Sequence, residues 1–306
     1  MPSCIILYER WENMDHTKPY VIFTDATADL PAEELQIHDI QVLPMYFKLN
    51  GQETLYDGAW PEERLHAFYD RLRGGEMVTT SQITPSIYEE AFAPWLEKGQ
   101  DILYVCFSSG LSGSFQSANV AASLLMERFP GRKVVVSDSL GATFGEGLAV
   151  LQAARNREQG LGIEENARWI GDHVLKNVHW FTVDDLMFLK RGGRISAATA
   201  ILGTTLQIKP VMHVDDEGHL IPVEKAQGRR TSLKAIARKM QESGVGLESQ
   251  KVYIGHGDAK RDAEFLAEAI RKIVTVKDIH IGMISPIVGA HSGPGTIALF
   301  FVGSHR

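Results

Sequence analysis

Short apolar runs alternate with segments of helical periodicity through the first half of the chain. The clearest helical segment is 61–72, where Leu65, Phe68, Tyr69 and Leu72 recur at the spacing of one helix face. Strands that alternate with helices favour βαβ units and a mostly parallel sheet. Strands are predicted at 20–23, 42–49, 102–107 and 133–137. Further helices are predicted from residue 85, up to about residue 129, and at 142–159 and 163–175.

The pattern changes after about residue 176, where strands begin to follow one another more closely. Strands are predicted at 180–183, 210–214, 220–225, 251–255 and 279–285, and helices at 231–243 and 259–273. The polar segment 215–218 reads as a tight turn between two of these strands, and Asn50-Gly51 is a strong hairpin signal in the first half. A mixed or antiparallel sheet is therefore expected in the second half.

The fold class predicted from these patterns is α/β with two domains. We expect an N-terminal extension over residues 1–18, an α/β domain over 19–175 and an α+β domain over 176–306. A chain of 306 residues with 44% hydrophobic residues is long and apolar enough for two cores. That composition excludes intrinsic disorder.

The charge and the cysteines narrow the classes of function. A formal charge of −7 argues against a protein that holds nucleic acid by neutralising phosphates. No segment has the roughly 20 apolar residues that span a bilayer, so stable membrane insertion is not expected. The N-terminus lacks a signal-peptide pattern, which predicts a cytoplasmic protein. The two cysteines, Cys4 and Cys106, cannot form a disulfide framework, and Cys106 lies in an apolar run that predicts a core position.

The most informative local pattern is a strand, a loop of small polar residues and a helix at 107–116. A helix start leaves free backbone N–H groups and carries partial positive charge, so it suits an anion. Ser112 and Ser114 add hydroxyl donors, and Gly113 allows a ligand to approach the backbone. The alternative is that one of these serines only caps the helix, which is the more common role.

Three other segments could face the same ligand. TTSQ at 79–82 supplies hydroxyls ahead of a helix, although capping is again the default. KRGGRIS at 190–196 places two arginines around a Gly-Gly turn, which suits a carboxylate or phosphate but is often only a solvated charge. GAHSGPGT at 289–296 is expected to be a glycine-rich loop that carries His291, and a lone histidine is more often structural than catalytic.

The chain lacks the sequence motifs of several common kinds of catalytic and metal site. The chain has no P-loop, no H-E-x-x-H helix and no Cys/His spacing of a zinc site, so neither a metal nor a cofactor is expected. Gly110-Leu-Ser112 begins like a nucleophile elbow, but Ser114 stands where the last glycine should be. Ser112, Asp258 and His291 still occur in the chain order of an α/β-hydrolase, which makes a serine hydrolase the alternative function.

Five segments together resemble the DegV family of bacterial fatty-acid-binding proteins. The segments are VIFTDATADLP at 21–31, TSQ at 80–82, SSGLSGS at 108–114, KRGGRIS at 190–196 and HSGPGT at 291–296. The resemblance runs from about Tyr20 to the end of the chain. This sequence departs from the usual pattern at Ala26, Ile83 and Ser114, of which Ser114 keeps a hydroxyl in place of threonine.

The resemblance implies a two-domain α/β protein with a lipid site between the domains. A long-chain fatty acid such as palmitate would lie in an apolar tunnel as the bound ligand, and a separate fatty acid kinase would convert it to an acyl phosphate. The protein would then be a carrier without catalytic residues. Eight residues would hold the carboxylate or border its site, namely Thr80, Ser81, Ser112, Gly113, Ser114, Arg194, His291 and Thr296.

Within that set, the resemblance gives the residues different roles. Thr80 and Ser112 would donate hydrogen bonds to the carboxylate, supported by backbone N–H groups of the glycine and serine that follow Ser112. His291 and Thr296 would close the site from the second domain, with Arg194 at its edge. Neutral donors at a helix start can hold a carboxylate without a buried cation.

Overall fold

The computed structural model of the chain describes residues 19–195 and 207–306. The extension expected at 1–18, with Cys4, and Ser196 of the arginine segment lie outside the described residues. The strands are β1 (Tyr20–Asp25), β2 (Ile40–Leu43), β3 (Met45–Leu49), β4 (Gln52–Tyr56), β5 (Val78–Thr80), β6 (Asp101–Cys106), β7 (Val134–Asp138), β8 (Asn177–Thr182), β9 (Ile208–Val214), β10 (Leu220–Gln227), β11 (Lys251–His256), β12 (Asp278–Met283) and β13 (Ile297–Val302).

The α-helices of the described residues lie between these strands. They are α1 (Ala32–Ile37), α2 (Glu62–Arg73), α3 (Pro85–Glu97), α4 (Ser114–Arg128), α5 (Phe144–Glu158), α6 (Ile163–His173), α7 (Met187–Arg191), α8 (Arg229–Ser243), α9 (Lys260–Arg271) and α10 (Pro286–Ser292). Single 3₁₀ turns occur at Val174–Lys176 and Leu247–Ser249.

The first sheet is parallel, with strand order β2-β1-β6-β7. Its central strands are apolar and buried on both faces, as a parallel sheet covered by helices requires. Helices α3 and α4 cover one face, and α5 and α6 cover the other. Cys106 ends β6 and is fully buried, which confirms its predicted core position.

A small antiparallel sheet of order β4-β3-β5 lies beside the first sheet and shares a hydrophobic cluster with it. The predicted hairpin at Asn50-Gly51 joins β3 to β4, and both residues have positive φ, at 50° and 80°. That geometry is the one that asparagine and glycine favour in two-residue turns. Strand β5 ends at Thr80, which brings the TSQ segment to the edge of this sheet.

The second large sheet is mixed, with strand order β10-β9-β8-β13-β11-β12. Only β11 and β12 are parallel, and the other neighbours are antiparallel. Helices α8 and α9 cover one face. The other face carries Phe181 and Phe300 toward α5, and one hydrophobic cluster includes residues of both large sheets. Helix α5 therefore lies between the two sheets and connects them through a shared core.

Two predicted elements differ from the structure. The run 42–49 is two strands in different sheets, because Pro44 interrupts it and proline cannot donate a ladder hydrogen bond. The segment predicted as a loop at 289–296 begins inside α10, so His291 is helical. Ser285 caps this helix, its hydroxyl accepting the N–H of Val288, and Pro286 occupies the first turn.

Candidate functional site

A cavity of about 260 Å³, here called the inner cavity, lies between the loops of the first half and the face of the mixed sheet that carries Phe181 and Phe300. Most of its lining is apolar, and includes Leu111, Phe181, Leu189, Val214, Leu220 and Phe300. Polar side chains gather where β5, the 108–113 loop and α10 meet. The cavity thus has a mostly apolar wall and one cluster of polar side chains at this junction, here called the polar end.

The polar end is built around a hydrogen bond between Thr80 and His291. The Thr80 hydroxyl lies 2.7 Å from Nε2 of His291, although 211 positions separate the residues in the chain. Strand β5 fixes the threonine and the short helix α10 fixes the histidine. Ser81 and Gln82, which follow Thr80, also line the inner cavity.

His291 is neutral at physiological pH. Burial and, to a smaller extent, the positive charge of Arg194 lower its pKa to about 4. Its Nδ1 is buried without a hydrogen-bond partner among the described residues. An unpaired acceptor costs less than an unpaired N–H, so the proton belongs on Nε2, which then donates to Thr80 Oγ1. This tautomer leaves the Thr80 O–H free to donate to a ligand.

The serine loop supplies a second group of donors at the start of α4. Gly113 occupies the N-cap position, and both Ser112 and Gly113 line the inner cavity. The Ser112 hydroxyl accepts the N–H of Ser114 at 3.2 Å and lies 3.0 Å from the Ser114 hydroxyl. A Cβ at position 113 would collide with the side-chain oxygen of Gln82. Ser112 therefore orders the helix start and also faces the cavity.

Arg194 also contacts this serine loop. Its Nε donates to the carbonyl of Leu111 at 3.1 Å, and its Nη1 donates to the carbonyl of Gly192. The guanidinium also lines the inner cavity. The KRGGRIS segment thereby holds a cation beside His291, because the turn at Gly192 and Gly193 returns the chain toward the serine loop.

Ser114 and Thr296 lie less directly at the site than the other predicted residues. Ser114 is fully buried behind Ser112, and its hydroxyl accepts the N–H of Ile83 at 3.4 Å. Thr296 lines the inner cavity, but its hydroxyl donates to backbone carbonyls of its own segment. The hydroxyl oxygen lies 2.8 Å from the carbonyl oxygen of Ser292 and 2.9 Å from that of Gly293. Neither hydroxyl proton is as free as that of Thr80.

Comparison with known proteins identifies the family. The family model described as "uncharacterised protein, DegV family" matches residues 19–304. A DegV domain-containing protein of Clostridium perfringens is 41% identical over 289 residues, covering 94% of this chain and 99% of that protein. The chain belongs to the DegV family.

Solved structures agree with this fold. A fatty-acid-binding DegV protein from Thermus thermophilus matches with a TM-score of 0.83 and 29% identity, covering 93% of this chain and 99% of that one. A stearic-acid-binding protein from Eubacterium ventriosum matches with a TM-score of 0.80 and 26% identity, covering 93% and 98%. The predicted fold class, α/β with a parallel sheet and a mixed sheet, is confirmed.

The hydrolase triad considered from the sequence is not assembled in this DegV chain. Asp258 pairs with Arg73 at 2.5 Å and with Nδ1 of His66, whereas His291 bonds Thr80 and Ser112 bonds Ser114. Each member of the proposed triad thus has different partners among the described residues. Serine catalysis requires the base to reach the nucleophile, and this arrangement does not provide that contact.

The sequence analysis missed a network of buried carboxyl groups behind the inner cavity. Asp25 and Glu146 are fully buried, and both lie within hydrogen-bond reach of the Thr27 hydroxyl, with Glu146 Oε2 at 2.7 Å. Asp25 also accepts from the Tyr104 hydroxyl at 2.9 Å. Thr27 itself lines the cavity. The DATAD segment at 25–29 was among the matching motifs, but nothing in its residue types showed which partners it would meet.

Burial raises the pKa of each carboxyl in this region. The pKa of Asp25 is raised, that of Glu146 is raised well above its ordinary value, and that of Asp29 is raised to about 8. A hydroxyl has one proton, so Thr27 can donate to Asp25 or to Glu146 but not to both. At least one of the two carboxyls must therefore be protonated to complete the network.

Neither a metal site nor a membrane span occurs in the described part of the chain. Residues 19–195 and 207–306 contain no group of three or more His, Cys, Asp or Glu side chains placed to hold a metal ion. None of the helices within those ranges is long and apolar enough to cross a bilayer.

Proposed function

We propose that this protein binds a long-chain fatty acid, palmitate among the possible chains, and presents it to a fatty acid kinase in the cytoplasm. The acyl chain would lie in the inner cavity and the carboxylate at its polar end. The observation that carries the proposal is the cavity itself, whose wall is mostly apolar and whose polar groups include the cluster of Thr80, Ser112 and His291. Solved relatives described as fatty-acid-binding support it.

The polar end has the chemistry to hold a carboxylate. The Thr80 hydroxyl is free to donate because His291 Nε2–H occupies one of its lone pairs. The Ser112 hydroxyl and the N–H of Gly113 lie at the start of α4, where the helix dipole favours negative charge. Arg194 adds a positive charge at the edge. Ser81, Ser114 and Thr296 would surround the carboxylate as uncharged polar neighbours.

The acyl chain would supply most of the binding free energy. Burying each methylene contributes about 0.8 kcal/mol, so a long tail gives more than the few hydrogen bonds at the head group. The apolar wall combines strand residues of the mixed sheet with loop residues of the first half such as Phe107 and Leu111, so ligand binding would also join the two halves of the molecule. The two predicted domains, 19–175 and 176–306, would then close around the lipid.

We infer a carrier rather than an enzyme, with the kinase as the catalytic partner. In the kinase reaction a carboxylate oxygen would attack the terminal phosphorus of a nucleoside triphosphate. The new bond joins that oxygen to phosphorus, and the bond to the bridging oxygen breaks, so its electron pair leaves with the nucleoside diphosphate. The products are an acyl phosphate and the diphosphate. The requirement for a nucleoside triphosphate is consistent with a cytoplasmic location.

Native mass spectrometry of the purified protein, followed by denaturation and lipid analysis, tests the proposal. We expect a mass increment of one fatty acid per chain and identification of that acid after denaturation. For protein recovered without lipid, titration with palmitate should give saturable binding at one site. A protein that neither retains nor binds any fatty acid from short to long chains would overturn the proposal.

A further inference from the structure

A second cavity, here called the outer cavity, adjoins the polar end from outside. It has a volume of about 300 Å³ and shares Thr80, Arg194 and His291 with the inner cavity. These three side chains therefore form the wall between the two spaces. A group attached to a carboxylate at the polar end would project past this wall into the outer cavity.

The charges that face the outer cavity favour an anion. Arg191, exposed at the end of α7, and Arg194 line it, together with the backbone of Gly192. Among the described residues, Glu76 is the acidic residue that lines the outer cavity. Its carboxylate accepts hydrogen bonds from Nε and Nη2 of Arg71, at 2.9 and 2.6 Å. That pairing neutralises Glu76. The lining thus keeps the charge of two arginines.

A free fatty acid does not use this space, because its carboxylate ends at the wall. An acyl phosphate extends beyond the carboxylate by one phosphoryl group with further negative charge and more acceptor oxygens. Arginine suits such a group through charge-assisted, often bidentate hydrogen bonds. The outer cavity therefore suits the phosphoryl group, which the acyl phosphate has and the free fatty acid lacks.

We propose that the outer cavity binds the phosphoryl group of an acyl phosphate and that Arg191 contacts it. This inference rests on the proposed function, and it adds a product-specific site to it. Arg191 discriminates the acyl phosphate from the free acid, since it lines the outer cavity and not the inner one. The protein is then a carrier for the phosphorylated lipid as well as for the free one.

Binding of two ligands to three proteins tests the inference. The ligands are palmitate and the methylene phosphonate analogue of palmitoyl phosphate, which cannot hydrolyse. The proteins are the wild type, Arg191→Gln and the control Lys190→Gln, which removes the same charge from an exposed neighbour that lines neither cavity. Titration calorimetry at one ionic strength gives the six dissociation constants.

We expect Arg191→Gln to weaken phosphonate binding about tenfold and to leave palmitate binding within about twofold. Lys190→Gln should leave both constants within about twofold. Equal effects of Arg191→Gln on both ligands, or of the two variants on the phosphonate, would overturn the inference alone. Failure of the wild type to bind palmitate would overturn the proposed function, and this inference with it.

Discussion

The hydroxyl of Thr80 and Nε2 of His291 lie 2.7 Å apart and join the small antiparallel sheet to helix α10. One residue belongs to the first half of the chain and the other to the second. The bond exists only when the two halves are correctly placed, and it leaves the threonine O–H free to donate. The proposed head-group site is therefore a product of tertiary structure rather than of one motif.

Replacing Thr80 with valine should weaken fatty acid binding about 10- to 150-fold without abolishing it. The substitution keeps the shape and removes one hydrogen bond to a charged group, which contributes about 1.5–3 kcal/mol. The acyl chain remains buried and retains most of the affinity. Titration with palmitate gives the constant, and adding Ser112→Ala should weaken binding further.

The matched control for this change is Thr84→Val, at an exposed threonine that lines neither cavity. It should bind palmitate as the wild type does. Unchanged affinity in the Thr80→Val, Ser112→Ala double variant would show that the carboxylate lies elsewhere in the cavity.

Replacing His291 with alanine should slow phosphorylation of the bound lipid more than it weakens lipid retention. His291 lines both cavities and hydrogen-bonds Thr80, the proposed carboxylate donor. We expect retention to fall a few-fold and the kinase rate to fall by about tenfold or more. Lipid content by mass spectrometry and acyl phosphate formation with the kinase measure the two effects. Equal losses would make His291 a main anchor of the carboxylate instead.

The sequence predicted the strands and helices well where periodicity was strong or turn residues were distinctive. The helix over 62–73 and the Asn50-Gly51 hairpin both follow from local physics, namely apolar spacing and left-handed φ. The single strand predicted over 42–49 was wrong, because the prediction did not use Pro44, and a proline within a strand run argues against one continuous strand. Helix α10 was missed because its glycines obscured the Ser-Pro start at 285–286.

The candidate site was predictable in its membership but not in its contacts. Of the eight site residues that the resemblance implied, seven line the inner cavity, namely Thr80, Ser81, Ser112, Gly113, Arg194, His291 and Thr296. No local pattern could show that Thr296 donates to backbone carbonyls, or that Asp25 and Glu146 meet at Thr27 from positions 121 residues apart. Such contacts depend on how α5 lies against the parallel sheet.

Asp29 should make the folded protein less stable as the pH rises from about 4 to about 8. Its pKa is raised from 3.8 to about 8 by burial, so the folded state keeps a proton that the unfolded chain loses. A raised pKa of this kind gives stability that is fully present below the unfolded value and is lost as the pH rises through the folded one. Between pH 6.5 and 8 the expected loss is about 1–2 kcal/mol.

Asp29→Asn should remove that part of the pH dependence. Asparagine tolerates the φ of 54° at this position and can accept the N–H of Ser285. Urea unfolding at several pH values from 6.5 to 8 measures the slope; the buried histidines affect wild type and variant alike, so the difference between the two slopes reports Asp29. Asp172→Asn, at an exposed position on α6, should keep the wild-type slope. Parallel slopes for wild type and Asp29→Asn would contradict the assignment.

Gly192→Ala should disturb the head-group site without touching a ligand donor. A Cβ at this position would collide with Nδ1 of His291, so the imidazole must move and its bond to Thr80 lengthens or breaks. We expect weaker palmitate binding, by several-fold, and slower phosphorylation, because the Thr80 hydroxyl loses the partner that orients it. Gly171→Ala is the control, since a Cβ there meets open space on α6. If Gly192→Ala bound and delivered palmitate like Gly171→Ala, the position of His291 would not govern the site.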